Sequence, residues 1–160
     1  MKYRILHYGE EPLKKVSEPV KAIDNDLKVL IKDMFETMYA ANGVGLAAPQ
    51  IGKNIRVVVI DCGDDPIAMI NPSIIKMTGK ETAPEGCLSF PGLSENVQRA
   101  TKVVAEYTDP EDGEVYEIEA EGLLARAIQH ETDHLDGVVF VDRMSKARKL
   151  QIKNELEIIK

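Results

Sequence analysis

The first strong pattern along the chain is a stripe of apolar residues at helical spacing that begins shortly after Asp24. Aspartate commonly caps the first turn of a helix, and Asn42-Gly43 supplies the backbone freedom that a helix end needs. The spacing therefore predicts an amphipathic helix between these positions, with its apolar side in the core. The stripe consists of Leu27, Leu30, Ile31, Met34, Phe35, Met38 and Tyr39.

Short runs rich in β-branched and aromatic residues occupy the middle of the chain, separated by turn-forming residues. We expect two strand pairs, 55–60 with 67–70 around a turn at 62–66, and 102–107 with 115–118 around a turn at 109–113. Before the first pair, residues 43–50 form a segment of small residues that is too apolar for an ordinary surface turn.

Helical character returns at 121–135 and ends near Gly137. Residues 138–141 favour a short strand, and the basic tail 143–160 favours a last helix. Because the strands cluster in the middle and helices flank them, the pattern indicates an α+β fold rather than alternating α/β. We expect a single domain over 1–160, with small antiparallel or mixed sheets around a central helix, an N-terminal helix and a C-terminal helix.

The composition is that of an ordinary globular protein, with 44% apolar and 29% charged residues in a chain of 160. A chain of this length can bury a core without disulfides. Nothing in it has the pattern of a signal peptide or a membrane span. We therefore expect a cytoplasmic protein with no membrane partner, in a reducing compartment where Cys62 and Cys87 remain thiols.

The charge is uneven along the chain, and this bears on its partners. A net charge of −7 argues against direct, sequence-specific binding of nucleic acid, because phosphate backbones require a basic footprint. The tail 143–160, however, has six basic residues against Glu155 and Glu157. Two interpretations remain open for this tail, a solvated helix face or a surface that docks on an acidic partner.

The strongest chemical signal is His130-Glu131-Thr-Asp-His134. Residues four apart on a helix lie one turn above each other, so both imidazoles can reach one metal ion. Glu131 lies next to the first of them and can take a proton from a water at the metal. The alternative is a surface helix that carries two histidines by chance, and a third ligand would decide against it.

Several residue types could supply the third ligand. In one protease class it is a histidine six residues after the second, but that position is Phe140 here, which cannot bind a metal. Another class uses a downstream glutamate, and Glu155 or Glu157 would then lie in a short basic tail. Cys87, which is flanked by glycine, offers a strong thiolate donor, although a lone cysteine is often only a small buried apolar residue.

Three segments together resemble the signature motifs of the peptide deformylase family, in the same order and with similar spacing, and the similarity runs over nearly the whole chain. A solitary His-Glu-x-x-His is moderately specific, whereas the three motifs together are very specific. The segments are Gly43-Val-Gly-Leu-Ala-Ala-Pro-Gln50, Glu85-Gly-Cys-Leu-Ser89 and Gln129-His-Glu-Thr-Asp-His-Leu-Asp-Gly137.

The resemblance implies a hydrolase that removes the formyl group from N-formylmethionyl nascent peptides and releases formate. It implies that Cys87, His130 and His134 bind the metal and that Glu131 is the acid/base residue. The side-chain amide of Gln50 and the backbone N–H of Leu88 would stabilise the negative charge on the formyl oxygen.

Supporting and substrate-binding residues are also implied by the resemblance. Glu85 would pair with Arg99, and Gln129 and Asp133 would brace the ligand helix. An apolar slot for methionine would be lined by Val44, Leu123 and Ala127, with the less typical Arg126 placing its charge at the pocket mouth and its stem inward. An extended substrate would pair its backbone with Val44-Gly45 and Gly86.

The resemblance implies ferrous iron as the cellular metal, with zinc as a common, less active occupant. A site of two histidines and one cysteine also accepts nickel or cobalt. The ribosome is a candidate acidic partner for the tail 143–160. Two other functions stay open at this point. An endopeptidase of the zinc-protease type is disfavoured by Phe140, and a formyl-peptide binding protein would have no use for Glu131 as a base.

Overall fold

The structure is a computed structural model that describes residues 2–63 and 65–159. It contains seven strands and four α-helices in these parts of the chain, with three short 3₁₀ turns at Glu11–Lys14, Ala48–Ile51 and Phe140–Arg143. The strands are β1 (Gly45–Ala47), β2 (Val57–Ile60), β3 (Ile67–Thr78), β4 (Glu81–Gly86), β5 (Ser94–Arg99), β6 (Lys102–Thr108) and β7 (Val115–Glu121). The helices are α1 (Asn25–Ala40), α2 (Gly122–Leu135), α3 (Lys146–Gln151) and α4 (Lys153–Ile159).

Two antiparallel sheets organise the chain. The larger has the strand order β1-β2-β3-β6-β7, and the smaller is a ribbon of β4 and β5 alone. The α+β fold expected from the sequence is confirmed, and both predicted strand pairs are present. Position 64 of the turn predicted at 62–66 lies outside the described residues, as does Lys160 at the end of the predicted tail helix.

The larger sheet is covered on both faces, which explains the unbroken apolar run of β2. Val57 and Val59 pack in the cluster that contains the apolar side of α1, whereas Val58 and Ile60 pack in the cluster that contains α2. Because side chains alternate between the two faces of a strand, every residue of β2 is buried.

Helix α1 begins as the sequence predicts, since the Asp24 carboxylate accepts a hydrogen bond from the backbone N–H of Leu27 at 2.9 Å. Helix α2 is the central element of the other layer. Its small residues Ala125 and Ala127 allow a close approach to the sheet, and Ile128 and Leu135 complete its buried apolar side. Nine of the 14 residues of α2 are buried, so its polar side chains also point into the protein.

One expectation about the C-terminal region is wrong. Residues 138–141 do not form a strand, because Phe140 and Val141 turn inward in a 3₁₀ helix and the Asp142 carboxylate accepts a hydrogen bond from the N–H of Val139. The described part of the tail is helical, as the sequence predicts, and a break divides it into two short helices. The chain turns at Ile152, which is buried between them in a cluster that includes Phe90 and Phe140.

Candidate metal centre and active site

The two histidines of α2 lie one turn apart on its buried side. Their ring centroids are 5.1 Å apart, and His134 is fully buried while His130 is 7% exposed. Burial and the charge of His130 lower the pKa of His134 well below its ordinary value. His134 is therefore neutral, which is the form of imidazole that binds a metal ion.

Cys87 reaches the same place from the smaller sheet, because it follows the last residue of β4. Its Sγ lies 3.4 Å from Nε2 of His134, and the donor atoms of Cys87, His130 and His134 all lie within 4.8 Å of one another. Usual zinc–sulfur and zinc–nitrogen bond lengths place two tetrahedral ligands ~3.5 Å apart. The three donors thus fit one metal ion, and their chemistry suits iron, cobalt, nickel or zinc.

The carboxylate of Glu85 ties this ligand set together. It accepts hydrogen bonds from Nε and Nη2 of Arg99 at 2.8 and 3.0 Å, from Nη1 of Arg126 at 2.6 Å and from Nδ1 of His130 at 2.8 Å. Burial raises the pKa of Glu85, but the hydrogen bonds and charges of His130 and Arg99 outweigh burial and lower it to about 2. The ionised carboxylate accepts the Nδ1 proton of His130, so Nε2 is the nitrogen available to a metal ion, which would displace the proton that the raised pKa of His130 keeps there in the metal-free protein.

Arg126 does not place its charge at the pocket mouth, so that expectation is wrong. The side chain is 9% exposed, and besides Glu85 the guanidinium donates to the backbone carbonyls of Val97 and Glu81, each at 2.8 Å. A buried anion and two backbone carbonyls of the ribbon provide an environment in which a buried guanidinium is well paired.

Two further polar side chains of α2 contact the smaller sheet and its edge. The Asp133 carboxylate accepts from Nη1 of Arg99 at 2.6 Å and from Arg143 at 2.7 and 3.0 Å. The Gln129 amide makes two hydrogen bonds with the backbone of Ala100, at 2.9 and 3.0 Å. Both contacts match the bracing of the helix that the resemblance implies.

Glu131 lies in a tight space beside β1. An added Cβ at Gly45 would overlap Oε2 of Glu131 and lie 2.9 Å from its Cδ. Burial raises the pKa of Glu131 to about 7, an effect that the His130 charge opposes and the Glu85 charge reinforces. Its Oε1 is buried and accepts no hydrogen bond from the described residues. A carboxyl of this kind can both take up and release a proton near neutral pH.

The amide of Gln50 is held in a defined orientation. Its Oε1 accepts from the N–H of Ala47 at 2.9 Å, and its Nε2 lies 3.1 Å from Oγ of Ser89 and 3.6 Å from Sγ of Cys87. The amide N–H₂ group is therefore directed at the metal centre. Leu88 follows Cys87 directly and lines the same cavity.

A cavity of about 660 Å³ opens above these residues. All six predicted substrate-binding residues line it, and Val44 and Leu123 are half-exposed at its rim. The loop after Cys87 also forms a wall of the cavity, which the sequence does not predict. Its nearness to Cys87 is the one signal in the sequence that could have indicated it. The predicted set is Val44, Gly45, Gly86, Leu123, Arg126 and Ala127, and the added wall is Phe90, Pro91, Gly92, Leu93 and Ser94.

Comparisons with known proteins agree with this geometry. A sequence profile described as polypeptide deformylase matches residues 2–150. The chain belongs to the polypeptide deformylase family. It is 54% identical over 143 residues to peptide deformylase 1 of Clostridium acetobutylicum, covering 89% of this chain and 95% of that one. It is 48% identical over 147 residues to the peptide deformylase of Desulfitobacterium hafniense, covering 92% and 97%.

A solved structure gives the same result for the fold. The crystal structure of a peptide deformylase from Legionella pneumophila matches with a TM-score of 0.93 and 43% identity, covering 99% of this chain and 95% of that one. The protein is thus a metal-dependent hydrolase with the reaction of its family, the removal of the formyl group from N-formylmethionine.

Gly45→Ala should test the close contact with Glu131. The added methyl group should push the carboxylate aside. Because the resemblance makes Glu131 the acid/base residue, and displacement of such a group by about 1 Å is costly in rate, kcat should fall at least ~10-fold. Metal content should stay unchanged, since no ligand is touched. Gly43→Ala is the matched control, because its methyl group meets the end of the flexible Leu88 side chain at 2.6 Å. Equal kcat values for the two variants would contradict the assigned position of Glu131.

The pKa of Glu131 also predicts how stability depends on pH in the metal-free protein. With a pKa raised from 4.5 to about 7, the folded state binds more protons than the unfolded chain between these values. The free energy of unfolding should therefore fall as pH rises through this window, by up to ~3 kcal/mol. Glu131→Gln removes the effect, so its stability advantage over the wild type should be larger at pH 8 than at pH 5 in chemical denaturation. An advantage independent of pH would refute the raised pKa.

Proposed function

We propose that Cys87, His130 and His134 hold one divalent metal ion and that Glu131 is the proton carrier in the deformylation reaction. The observation that supports this most is the position of Glu131. It is a buried carboxyl with a raised pKa and an unpaired Oε1, and it lines the same cavity as Cys87 and His130.

The metal ion, when bound, supplies a Lewis acid that polarises the attacking water and the formyl carbonyl. Glu131 takes a proton from the water as the water oxygen bonds to the formyl carbon. The carbon–nitrogen bond then breaks, and Glu131 delivers the proton to the leaving nitrogen, so that formate and a free amino terminus are produced.

Gln50 and Leu88 are proposed to stabilise the charge that develops on the formyl oxygen. The Gln50 amide is already oriented by Ala47 and Ser89, so it loses little freedom when it donates to the oxygen. The backbone N–H of Leu88 would be the second donor. Groups held in place before the reaction are effective because they need no rearrangement as charge develops.

The substrate is proposed to bind as an extended N-formylmethionyl nascent peptide. Among the described residues, strand β1 is at the edge of its sheet with β2 as its one neighbour, so a peptide backbone could pair with its other side at Val44-Gly45, and Gly86 lines the same cavity. The methionine side chain would lie against Val44, Leu123, Ala127 and the stem of Arg126. These positions give an apolar slot, and the guanidinium of Arg126 turns away to Glu85.

Ferrous iron is the proposed cellular metal, with zinc, nickel or cobalt as alternative occupants. The donor set of one thiolate and two imidazoles accepts each of these ions, and selection in cells depends on availability as well as affinity. Protein purified without oxygen should contain close to one iron per chain by elemental analysis. Zinc in its place, with full turnover, would contradict iron as the native metal.

We further propose a cytoplasmic, single-domain enzyme over 1–160 that contacts the ribosome through 143–160. Neither Cys62 nor Cys87 is in a disulfide among the described residues, and no described helix has the length and apolar character to cross a bilayer. In the tail, Arg143, Arg148 and Lys149 pair with acidic residues of the protein. A ribosome contact would therefore depend mainly on the exposed Lys146 and Lys153.

Glu131→Gln is the direct test of the proposed mechanism. Glutamine keeps the size of the side chain but cannot accept the proton, so turnover of a formyl-Met-Ala peptide should fall at least ~100-fold with the metal retained. Glu106→Gln, on an exposed face of β6, is the matched control and should keep wild-type turnover. Loss of metal in Glu131→Gln would instead make Glu131 a ligand, and normal turnover would remove it from the mechanism. Cleavage of an unformylated internal peptide would favour an endopeptidase.

A further inference from the structure

We propose that Arg126 is a positioning residue for the metal centre. Its guanidinium fixes the β4–β5 ribbon, and with it Cys87, against the helix that carries both histidines. The inference rests on the ligand set under the proposed function and assigns to Arg126 a role beyond lining the substrate cavity.

Arg126 and His130 lie one turn apart on α2, and both donate hydrogen bonds to the carboxylate of Glu85. Nη1 of Arg126 donates to Oε2 of Glu85 at 2.6 Å, and Nδ1 of His130 donates to Oε1 at 2.8 Å. Arg99 of β5 adds one hydrogen bond to each oxygen. Each carboxylate oxygen therefore has one donor from α2 and one from the ribbon, so the carboxylate cannot rotate without breaking several bonds.

The other two hydrogen bonds of Arg126 attach α2 to the backbone of the ribbon. The guanidinium donates to the carbonyl of Val97 in β5 and to that of Glu81 in β4. In the part of the chain that the structure describes, strands β4 and β5 pair only with each other, so no backbone ladder there holds the ribbon to the larger sheet. The Arg126 side chain thus contacts both strands of the ribbon, and Cys87 directly follows one of them, β4.

A second attachment explains why the position of Arg126 matters. Arg99 donates to Asp133 at 2.6 Å, and Asp133 lies on α2 seven residues after Arg126. At 1.5 Å per residue the two attachments are ~10 Å apart along the helix. The Gln129 amide also holds Ala100, which directly follows β5, so the contacts of Gln129 and Asp133 fix that end of the strand. Arg126 adds the contacts with Glu81 and Val97, and loss of these contacts should shift the ribbon, and with it Cys87, relative to the histidines.

The guanidinium is the group that this geometry requires. It presents several donors in one plane and serves three acceptors in different directions, whereas a lysine ammonium carries the charge at a single point. A neutral side chain of similar length would leave both carbonyls without this donor and Glu85 with three donors rather than four.

The test compares Arg126→Met and Arg126→Lys with Arg56→Met in the whole chain loaded with cobalt(II). Arg56 is the matched control, because it also binds the C-terminal end of α2, through the carbonyl of Leu135 at 3.1 Å and the carboxylate of Asp136 at 3.0 Å, while its third acceptor is the carbonyl of Ser17 rather than Glu85 or a carbonyl of the ribbon. Two quantities are measured. They are the dissociation constant for cobalt(II), by competition with a chelator, and the sulfur-to-cobalt charge-transfer band, which reports the bond to Cys87.

Arg126→Met should weaken cobalt binding ~10-fold to 100-fold and shift or weaken the band, as loss of a group that supports metal ligands commonly does. Arg126→Lys should fall between this variant and the wild type, and it decides the matter alone if Arg126→Met does not fold. Arg56→Met should lower stability with the band and the affinity unchanged.

Wild-type affinity and band in either Arg126 variant would overturn the proposal. An equal change in Arg56→Met would also overturn it, because any loosening of α2 would then suffice. A wild-type protein that binds cobalt without the band would show that Cys87 is not a ligand. That result would refute the proposed metal site itself, and this inference with it.

Discussion

The site depends on one buried anion, the carboxylate of Glu85. A charge removed from water is costly unless it is paired and fully hydrogen-bonded, and Glu85 meets this requirement with four donors from Arg99, Arg126 and His130. The same bonds join three elements, because Glu85 is on β4, Arg99 is on β5 and the other two residues are on α2. The four hydrogen bonds that stabilise the buried charge therefore also set the positions of His130 and of the loop that carries Cys87.

The rest of the fold provides rigid supports for this contact. Helix α2 is buried against a sheet whose strand β2 is covered on both faces, so the histidines are carried by a central element rather than by a loop. The ribbon shares no ladder with the larger sheet among the described residues, and polar side chains connect it to the helix. Its loop is further supported by Phe90, which packs edge-on against Phe140 near the C-terminal helices.

Much of this could be predicted from the sequence, and the exceptions have physical reasons. The apolar stripe of α1 and the apolar run of β2 are direct signals of burial. The spacing of His130 and His134 indicates a pair of metal ligands on one side of a helix. Strands β4 and β5 were not predicted, because their buried side chains include Glu85 and Arg99, and an ionic buried face gives no apolar alternation. The prediction that the Arg126 charge lies at the pocket mouth was wrong for a similar reason. Hydropathy places an arginine at the surface, and only the structure reveals the buried acid that pairs with it.

The proposed metal site joins two elements, because the Cys87 thiolate follows β4 and the imidazoles of His130 and His134 lie on α2. X-ray absorption spectroscopy of the metal-loaded protein measures this ligand set directly. The account predicts one sulfur at ~2.3 Å and two imidazole nitrogens at ~2.0–2.1 Å for the zinc form. The sulfur shell should disappear in Cys87→Ser and remain in Cys62→Ser. A first shell of nitrogen and oxygen alone in the wild type, or a sulfur that persists in Cys87→Ser, would contradict the account.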